Sequence, residues 1–327
     1  MTITLKRPLA FVLSGGGARG ALQVGALRAL LEADIHPDLL VGTSIGAANA
    51  TFLALHGFTS AGLEALMATW QAAAAAELVP VNVLRLTLRL LFSRAGGRPE
   101  HRPRDFFIAH GVTPDLRFGD LGVRLILVAA DLNAGRPILY GADPRQSVLE
   151  GLLASTALPP WMHPLEKDGQ LLIDGGVVSN LPIEPALRQG AREIIALDLA
   201  DPREMPVDAL GFGLFLDKLM NTVEQRQREV ETALAAARGV PVRYIALYSD
   251  APIAIWDFQD VAARAARGYE IARQAIATWR HERPRGWRGW LLALGGWRRS
   301  YVPSYPTFQQ PDRDGKQRSP ARLPGQQ

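Results

Sequence analysis

Cysteine is absent from this chain of 327 residues, which excludes disulfides and thiolate metal sites and fits a reducing compartment. No stretch free of charge is long enough to span a bilayer. The segment from Met1 to Arg7, with the short apolar run after it, is too short for the hydrophobic region of a secretory signal. No internal repeat is visible, and no glycine loop is followed by the Lys-Ser/Thr pair of a P-loop. His36, His56, His101 and His110 have no motif around them. These absences lead to the expectation of a cytoplasmic globular protein.

What is present supports a sizeable core, because 48% of the residues are apolar. Strand-like runs recur between helical patterns at Leu9–Leu13, Leu39–Val41, Val123–Ala129, Leu171–Ile173, Glu193–Leu199 and Val242–Leu247. Alternation of this kind predicts an α/β fold with a mostly parallel sheet covered on both faces.

Three segments carry chemistry. Asp38-Leu39-Leu40-Val41 reads as a buried strand, Gly42-Thr43-Ser44-Ile45-Gly46 follows it, and Ala47–Leu55 reads as a helix closed by Gly57. A G-x-S-x-G between strand and helix is a nucleophile elbow, in which Gly42 and Gly46 let backbone crowd the turn and Ser44 projects from the sheet's rim. The plainer alternative makes Ser44 a helix N-cap. The run Leu9–Leu13 enters Ser14-Gly15-Gly16-Gly17-Ala18-Arg19-Gly20, ahead of a helical pattern over Ala21–Glu32. Consecutive glycines before a helix expose amides that suit a phosphate or an oxyanion. Leu171-Leu172-Ile173-Asp174-Gly175-Gly176 sets a carboxylate at a strand end. Gly15, Gly17 and Gly20 also satisfy the dinucleotide fingerprint G-x-G-x-x-G, with Asp38 near the expected ribose-binding distance. That reading leaves the Ser44 and Asp174 segments unexplained.

In this order the three segments resemble the patatin-like phospholipase family, whose pattern is G-G-G-x-[RK]-G, then G-x-S-x-G, then D-G-[GA]. Ala154-Ser155-Thr156-Ala157-Leu158-Pro159-Pro160 is similar to the family's stretch before its aspartate, and Val178-Ser179-Asn180-Leu181-Pro182 to the one after it. Phe258 to Ala272 is similar to the closing helix of bacterial members, so the resemblance runs over about residues 8 to 280. It implies a three-layer αβα sandwich and a serine acyl hydrolase of phospholipids or related acyl esters. It further implies a Ser–Asp dyad, Ser44 as nucleophile and Asp174 as base, with Gly15, Gly16 and Gly17 as oxyanion hole. Arg19, Gly42, Gly46, Gly175 and Gly176 stand as supporting residues, and no metal or organic cofactor is required. A Ser–His–acid triad is the alternative. The histidine after Asp174 is His281, in a polar and basic stretch, while His163 precedes it in a Pro-rich loop. Arg19 either orders the glycine loop or meets a lipid phosphate. A catalytically silent lipid-binding or regulatory module on the same scaffold is the competing reading of function.

Charge is unevenly placed. The chain totals +4, yet residues 280–327 hold ten Lys/Arg against three Asp/Glu, so the basic balance belongs to the tail. Residues 1–282 are read as the catalytic domain. Residues 283–302 form a basic segment with Trp287, Trp290 and Trp297, and 303–327 a disordered tail rich in Pro, Gln and charge. Arginines beside tryptophans and leucines suit an anionic lipid surface or, alternatively, a helix docked on the domain. Residues 83–104 mix leucines with Arg85, Arg89, Arg94, Arg98, Arg102 and Arg104 and suit a lid or interfacial segment, or a core helix with a solvated arginine edge. Peripheral membrane association through both segments is the expectation, and no module for nucleic acid is recognised.

Overall fold

The computed structural model describes residues 3–76, 101–159, 162–200, 212–251 and 253–281. Strand β1 (Leu9–Leu13) runs into a 3-10 turn at Gly17–Gly20 and α1 (Ala21–Glu32). Then come β2 (Leu39–Thr43), α2 (Ile45–His56), α3 (Ser60–Ala75) and α4 (His101–Ala109). β3 (Arg124–Asp131) and β4 (Arg136–Tyr140) form a hairpin, followed by α5 (Val148–Ser155). β5 (Leu165–Lys167) and β6 (Gln170–Asp174) lead to the short helices α6 (Gly176–Ser179) and α7 (Ile183–Arg188). β7 (Glu193–Asp198), α8 (Phe212–Ala237), β8 (Val242–Ala246) and α9 (Val261–His281) complete it.

The sheet has eight strands in the order β5-β6-β3-β2-β1-β7-β8, with β4 paired to β3. β3, β2, β1, β7 and β8 are parallel, whereas β4, β5 and β6 join through antiparallel ladders. Alternation along β1 explains the layers. Leu9, Phe11 and Leu13 enter one core with α1, α2, α3 and α9, and Ala10 and Val12 enter a second with α7 and α8. All five residues are fully buried. The result is the expected three-layer αβα sandwich, because a strand apolar at every position must be covered on both faces.

The register around β3 places the site. Leu127 and Val128 pair with β2 on one side and β4 on the other. Ala129, Ala130 and Asp131 pair with β4 and also with β6. β6 therefore continues along the same edge of β3 that β2 occupies, beginning where β2 ends. Thr43 sits opposite Val128 and Asp174 opposite Ala129, so the ends of β2 and β6 meet across one peptide of β3.

The chain divides into two compact units, Met1–Asp201 with Pro206–Arg283, and Pro202–Met205 with Pro284–Gln327. The second lies outside the described residues, as do the basic segment 283–302, the tail 303–327 and residues 83–100 of the expected lid. The last residues of that lid segment, 101–104, open α4. Among the described residues, no helix is long and apolar enough to cross a membrane.

Candidate active site

Ser44 stands between β2 and α2 with φ 56° and ψ −125°, a conformation strained for any residue with a Cβ. The crowding that forces it is visible at the two flanking glycines. A Cβ on Gly42 would lie 2.5 Å from the Gly46 carbonyl oxygen, and one on Gly46 would lie 2.6 Å from that of Ser14. The Ser44 side chain accepts no capping bond from α2, which removes the plain N-cap reading and leaves the hydroxyl free for another partner. The Ser44 amide donates to Ser155 Oγ at 3.1 Å, and Ser155 Oγ donates to the Val128 carbonyl at 2.6 Å. Ser155, fully buried at the end of α5, thus clips the elbow to β3.

Asp174 is 2% exposed at the end of β6. Its Oδ1 accepts the Gly176 amide at 2.8 Å, while the buried Oδ2 has no hydrogen-bond partner. Burial pushes the carboxyl up to about 6, against the opposing pull of the Ser44 hydroxyl and the Gly176 amide. Ser44 is the one side chain that pulls this carboxyl down, and the buried Oδ2 beside it stays without a hydrogen-bond partner. Gly175 packs on β3, where an added Cβ would come within 2.8 Å of the Val128 carbonyl carbon.

The glycine loop lies alongside. A Cβ on Gly15 would sit 3.0 Å from that of Ser44. The Gly15 amide is already committed, donating to the Asn180 carbonyl at 3.1 Å. The amides of Gly16 and Gly17 have no acceptor among the described residues. Of the three glycines expected to hold an oxyanion, these two keep their amides unclaimed. Arg19 donates from Nε to the Gly16 carbonyl at 3.1 Å, so it orders this loop. Gly17 has φ 56°, and the Ala18 amide donates to the Ile255 carbonyl at 2.8 Å, which straps the loop after β8 onto the glycines.

An apolar pocket of about 140 Å³ opens beside Ser44, walled by Ile45, Phe52, Leu66, Trp70, Phe107, Leu158, Ile255, Trp256 and Phe258. The Trp70 and Phe258 rings stack with centroids 5.7 Å apart. Pro103, Phe106 and Phe107 of α4 join this wall, whereas Arg102 and Arg104 are exposed. A buried relay fixes the wall to the glycine loop. Trp70 Nε1 donates to Asn49 Oδ1, Asn49 Nδ2 to Gln23 Oε1, and Gln23 Nε2 to the Ser14 carbonyl.

The other candidates fall elsewhere. Asp38 binds the Leu9 amide and Arg7 at the start of β2, at the opposite end of the sheet from the glycine loop. A ribose-binding acid would have to stand at the strand's other end, so the dinucleotide reading is corrected. His36 pairs with Asp34, and His110 with the Phe106 carbonyl. Among the described residues no histidine is hydrogen-bonded to Ser44 or Asp174. His163 lines a separate small pocket with Arg104 and Leu165. His281 ends α9, and its side chain lies outside the described residues. No cluster with metal-ligand composition occurs among the described residues.

A strained serine on a strand-to-helix elbow, facing a buried carboxylate and an apolar pocket, defines an α/β protein of the nucleophile-elbow class. The family model of the patatin-like phospholipases matches residues 11–187. That is more than half of the chain, which belongs to this family. Patatin-like phospholipase domain-containing protein 7 of Mus musculus is 30% identical over 239 residues, 69% of this chain and 17% of that protein. Human patatin-like phospholipase domain-containing protein 6 is 32% identical over 208 residues, 63% of this chain and 14% of that protein. An uncharacterized NTE family protein of Mycobacterium tuberculosis is 32% identical over 212 residues, 64% of this chain and 32% of that protein. The chain thus spans a third or less of the length of these relatives. Among solved structures it is similar to VipD from Legionella pneumophila, with a TM-score of 0.47, 17% identity and coverage of 84% of this chain and 68% of that one.

Proposed function

We propose that this chain is a serine acyl hydrolase acting on acyl esters of phospholipids or related lipids through Ser44 and Asp174. The observation that carries the reading is the buried Asp174 carboxyl, raised to about 6 beside the Ser44 hydroxyl with Oδ2 unpartnered. Ser44 Oγ attacks the ester carbonyl as its proton passes to Asp174. The tetrahedral oxyanion is held by the amides of Gly16 and Gly17, each such donor being worth roughly 3 kcal/mol. Collapse returns the proton to the leaving alcohol, and water, deprotonated by the same carboxylate, releases the acid. A carboxylate near pKa 6 is a far better base than one near 4 and is still ionised at neutral pH. The acyl chain is the part of the substrate that fits a pocket with an almost wholly hydrocarbon lining. No step calls for a metal or organic cofactor. Seating on an anionic membrane through 283–302 and 83–104 belongs to the same proposal.

Labelling with a fluorophosphonate tests the reading. The wild-type protein should be phosphonylated at Ser44 with loss of fluoride, and Ser44→Ala should neither label nor hydrolyse esters. A folded wild type that fails to label under conditions that label a control serine esterase would identify the scaffold as catalytically silent.

A further inference from the structure

The segment after Asp174 is gripped from outside by one helix. Along α8, Gln227 and Glu231 are one turn apart and reach the same stretch of chain. Gln227 Oε1 accepts the Asn180 amide at 3.0 Å, and its Nε2 donates to the Val177 carbonyl at 2.8 Å. Glu231 Oε1 accepts the Ser179 hydroxyl at 2.7 Å, and Oε2 accepts the Glu184 amide at 2.6 Å. The Ser179 carbonyl in turn accepts the Thr43 hydroxyl at 2.8 Å, and the Asn180 carbonyl accepts the Gly15 amide. Residues 174 to 180 therefore connect the base, the elbow strand through Thr43 and the glycine loop through Gly15. Glu231 holds this junction from behind, only 8% exposed. Both helix side chains lie beyond residues 11–187, the stretch matched by the family model.

Taking Ser44 and Asp174 as the reacting pair, we propose that Glu231 is a positioning residue for the reaction, fixing through Ser179 and the start of α7 the segment that aligns Asp174 with Ser44. Its geometry gives the reason. A carboxylate accepts both hydrogen bonds in full, one at each oxygen, whereas protonation turns one oxygen into a donor and slackens one of them. Burial pushes this carboxyl up to about 7, against the Glu184 amide and the Ser179 hydroxyl, which pull it down. The ionisable groups around it are Glu184 on α7, Tyr244 on β8 and Arg228 on its own helix, with Arg228 paired to Asp198 of β7. Glu231 thus titrates in the range where Asp174 begins to serve as base. Loosening the segment would misplace the dyad without touching the acyl pocket, which lies on the other side of the sheet's rim among α2, α3 and α4.

The test is steady-state hydrolysis of a soluble short-chain p-nitrophenyl ester across pH, with melting temperature measured on the same samples. Glu231→Ala should lower kcat about ten- to hundredfold, the cost of a sub-ångström to ångström misplacement, with KM nearly unchanged. Glu231→Gln keeps an acceptor for Glu184 and an amide for Ser179, so it should retain most of the activity at pH 8. Its acid limb should lose the group near 7 and keep the one near 6. Ser179→Ala, which cuts the same link from the other side, should resemble Glu231→Ala. Val230→Ala, one residue away and exposed, should match the wild type. The proposal is overturned if folded Glu231→Ala keeps the wild-type kcat. It is equally overturned if Glu231→Gln shows the unaltered two-group acid limb. Hydrolysis surviving in Ser44→Ala would instead sink the nucleophile assignment, a separate failure read in the same assay.

Discussion

Thr43 and Asp174 stand against consecutive residues of one strand, Val128 and Ala129 of β3, although 131 positions separate them in the chain. That adjacency explains why the next residue after Thr43, Ser44, meets a carboxylate delivered by a strand of opposite direction. β2 stops at the elbow, β3 runs on, and β6 fills the edge thus left open. Ser44 and Asp174, the proposed nucleophile and base, are placed by backbone ladders, so their geometry inherits the stiffness of the sheet.

Replacing the base should separate activity from stability. Asp174→Asn should lower acylation by several orders of magnitude, because the amide cannot take the Ser44 proton. The same change removes a buried carboxylate whose ionisation above pH 6 costs about 3 kcal/mol, from a pKa raised from 3.8 to about 6. The variant should therefore melt higher than the wild type at pH 8. His163→Ala and His281→Ala should leave the rate nearly unchanged. A histidine variant that stays folded yet loses as much activity as Asp174→Asn would replace the dyad with a triad.

Much of this arrangement was legible in the sequence, and the illegible part has a common cause. β1, β2 and the helix Ala21–Glu32 announce themselves because Leu9–Leu13 and Leu39–Val41 are unbroken apolar runs and glycines punctuate the turns. The edge strand β4, with Arg136 and Pro137 at its start and a half-buried middle, gives no such signal. Helix α3 starts at a polar cap, with Thr59 Oγ1 accepting the Gly62 amide, but its alanine-rich sequence carries no chemistry that marks it as a wall of the pocket. Ser155, Glu231 and Ile255 act through partners 27 to 237 residues distant. Polar side chains such as Glu231, on a helix that reads as ordinary surface, are invisible until the fold buries them. The tandem glycines suggested three equivalent oxyanion donors, but the claim of Asn180 on Gly15 appears only in three dimensions.

The pH dependence of activity and of stability should run in opposite directions. Asp174 and Glu231 both have folded pKa values raised above those of the unfolded chain, to about 6 and about 7. The folded state therefore holds protons that the unfolded chain has released. Their stabilising contribution is complete below about pH 4 and is lost as pH rises through 6 and 7. Activity needs the Asp174 carboxylate and, through the positioning proposed above, that of Glu231, so kcat/KM should fall on the acid side through two groups, near 7 and near 6. Urea unfolding at pH 5 and pH 8 measures the first effect. The double variant Asp174→Asn, Glu231→Gln should show a smaller difference between the two than the wild type, and an unchanged difference would contradict the assigned shifts.

Alanine at Gly16 or at Gly17 should cost both activity and stability. At Gly17 a Cβ would meet Ile255 Cβ at 2.7 Å, next to a backbone carbonyl that cannot move, and φ is 56°. Gly17→Ala should thus cost stability as well as activity. At Gly16 a Cβ would lie 2.9 Å from Leu199 Cβ, an atom held by its own backbone, and φ is 159° with ψ 14°. Gly16→Ala should therefore also lower the melting temperature, and the protein that stays folded should lose activity by up to roughly the 3 kcal/mol of a displaced oxyanion donor. A folded Gly16→Ala protein that keeps the wild-type rate would make the loop a structural element only.

The strap after β8 should set how much acyl chain is gripped. Ile255, Trp256 and Phe258 complete the pocket, with Trp256 43% exposed and Phe258 stacked on Trp70. A short acyl group attached to Ser44 can be held by the wall near Ile45 and Ala48, whereas a longer one must run along these rings. Trp256→Ala and Phe258→Leu should therefore leave hydrolysis of a butyryl ester close to wild type and weaken that of a decanoyl ester. Each methylene that loses its apolar contact forfeits about 0.8 kcal/mol, so two of them amount to roughly tenfold in kcat/KM. Mixed micelles would blur the comparison, and monomeric ester concentrations keep it clean. If kcat/KM falls by the same factor for both esters in folded protein, the strap acts on the glycine loop through the Ala18–Ile255 bond and not on the acyl chain.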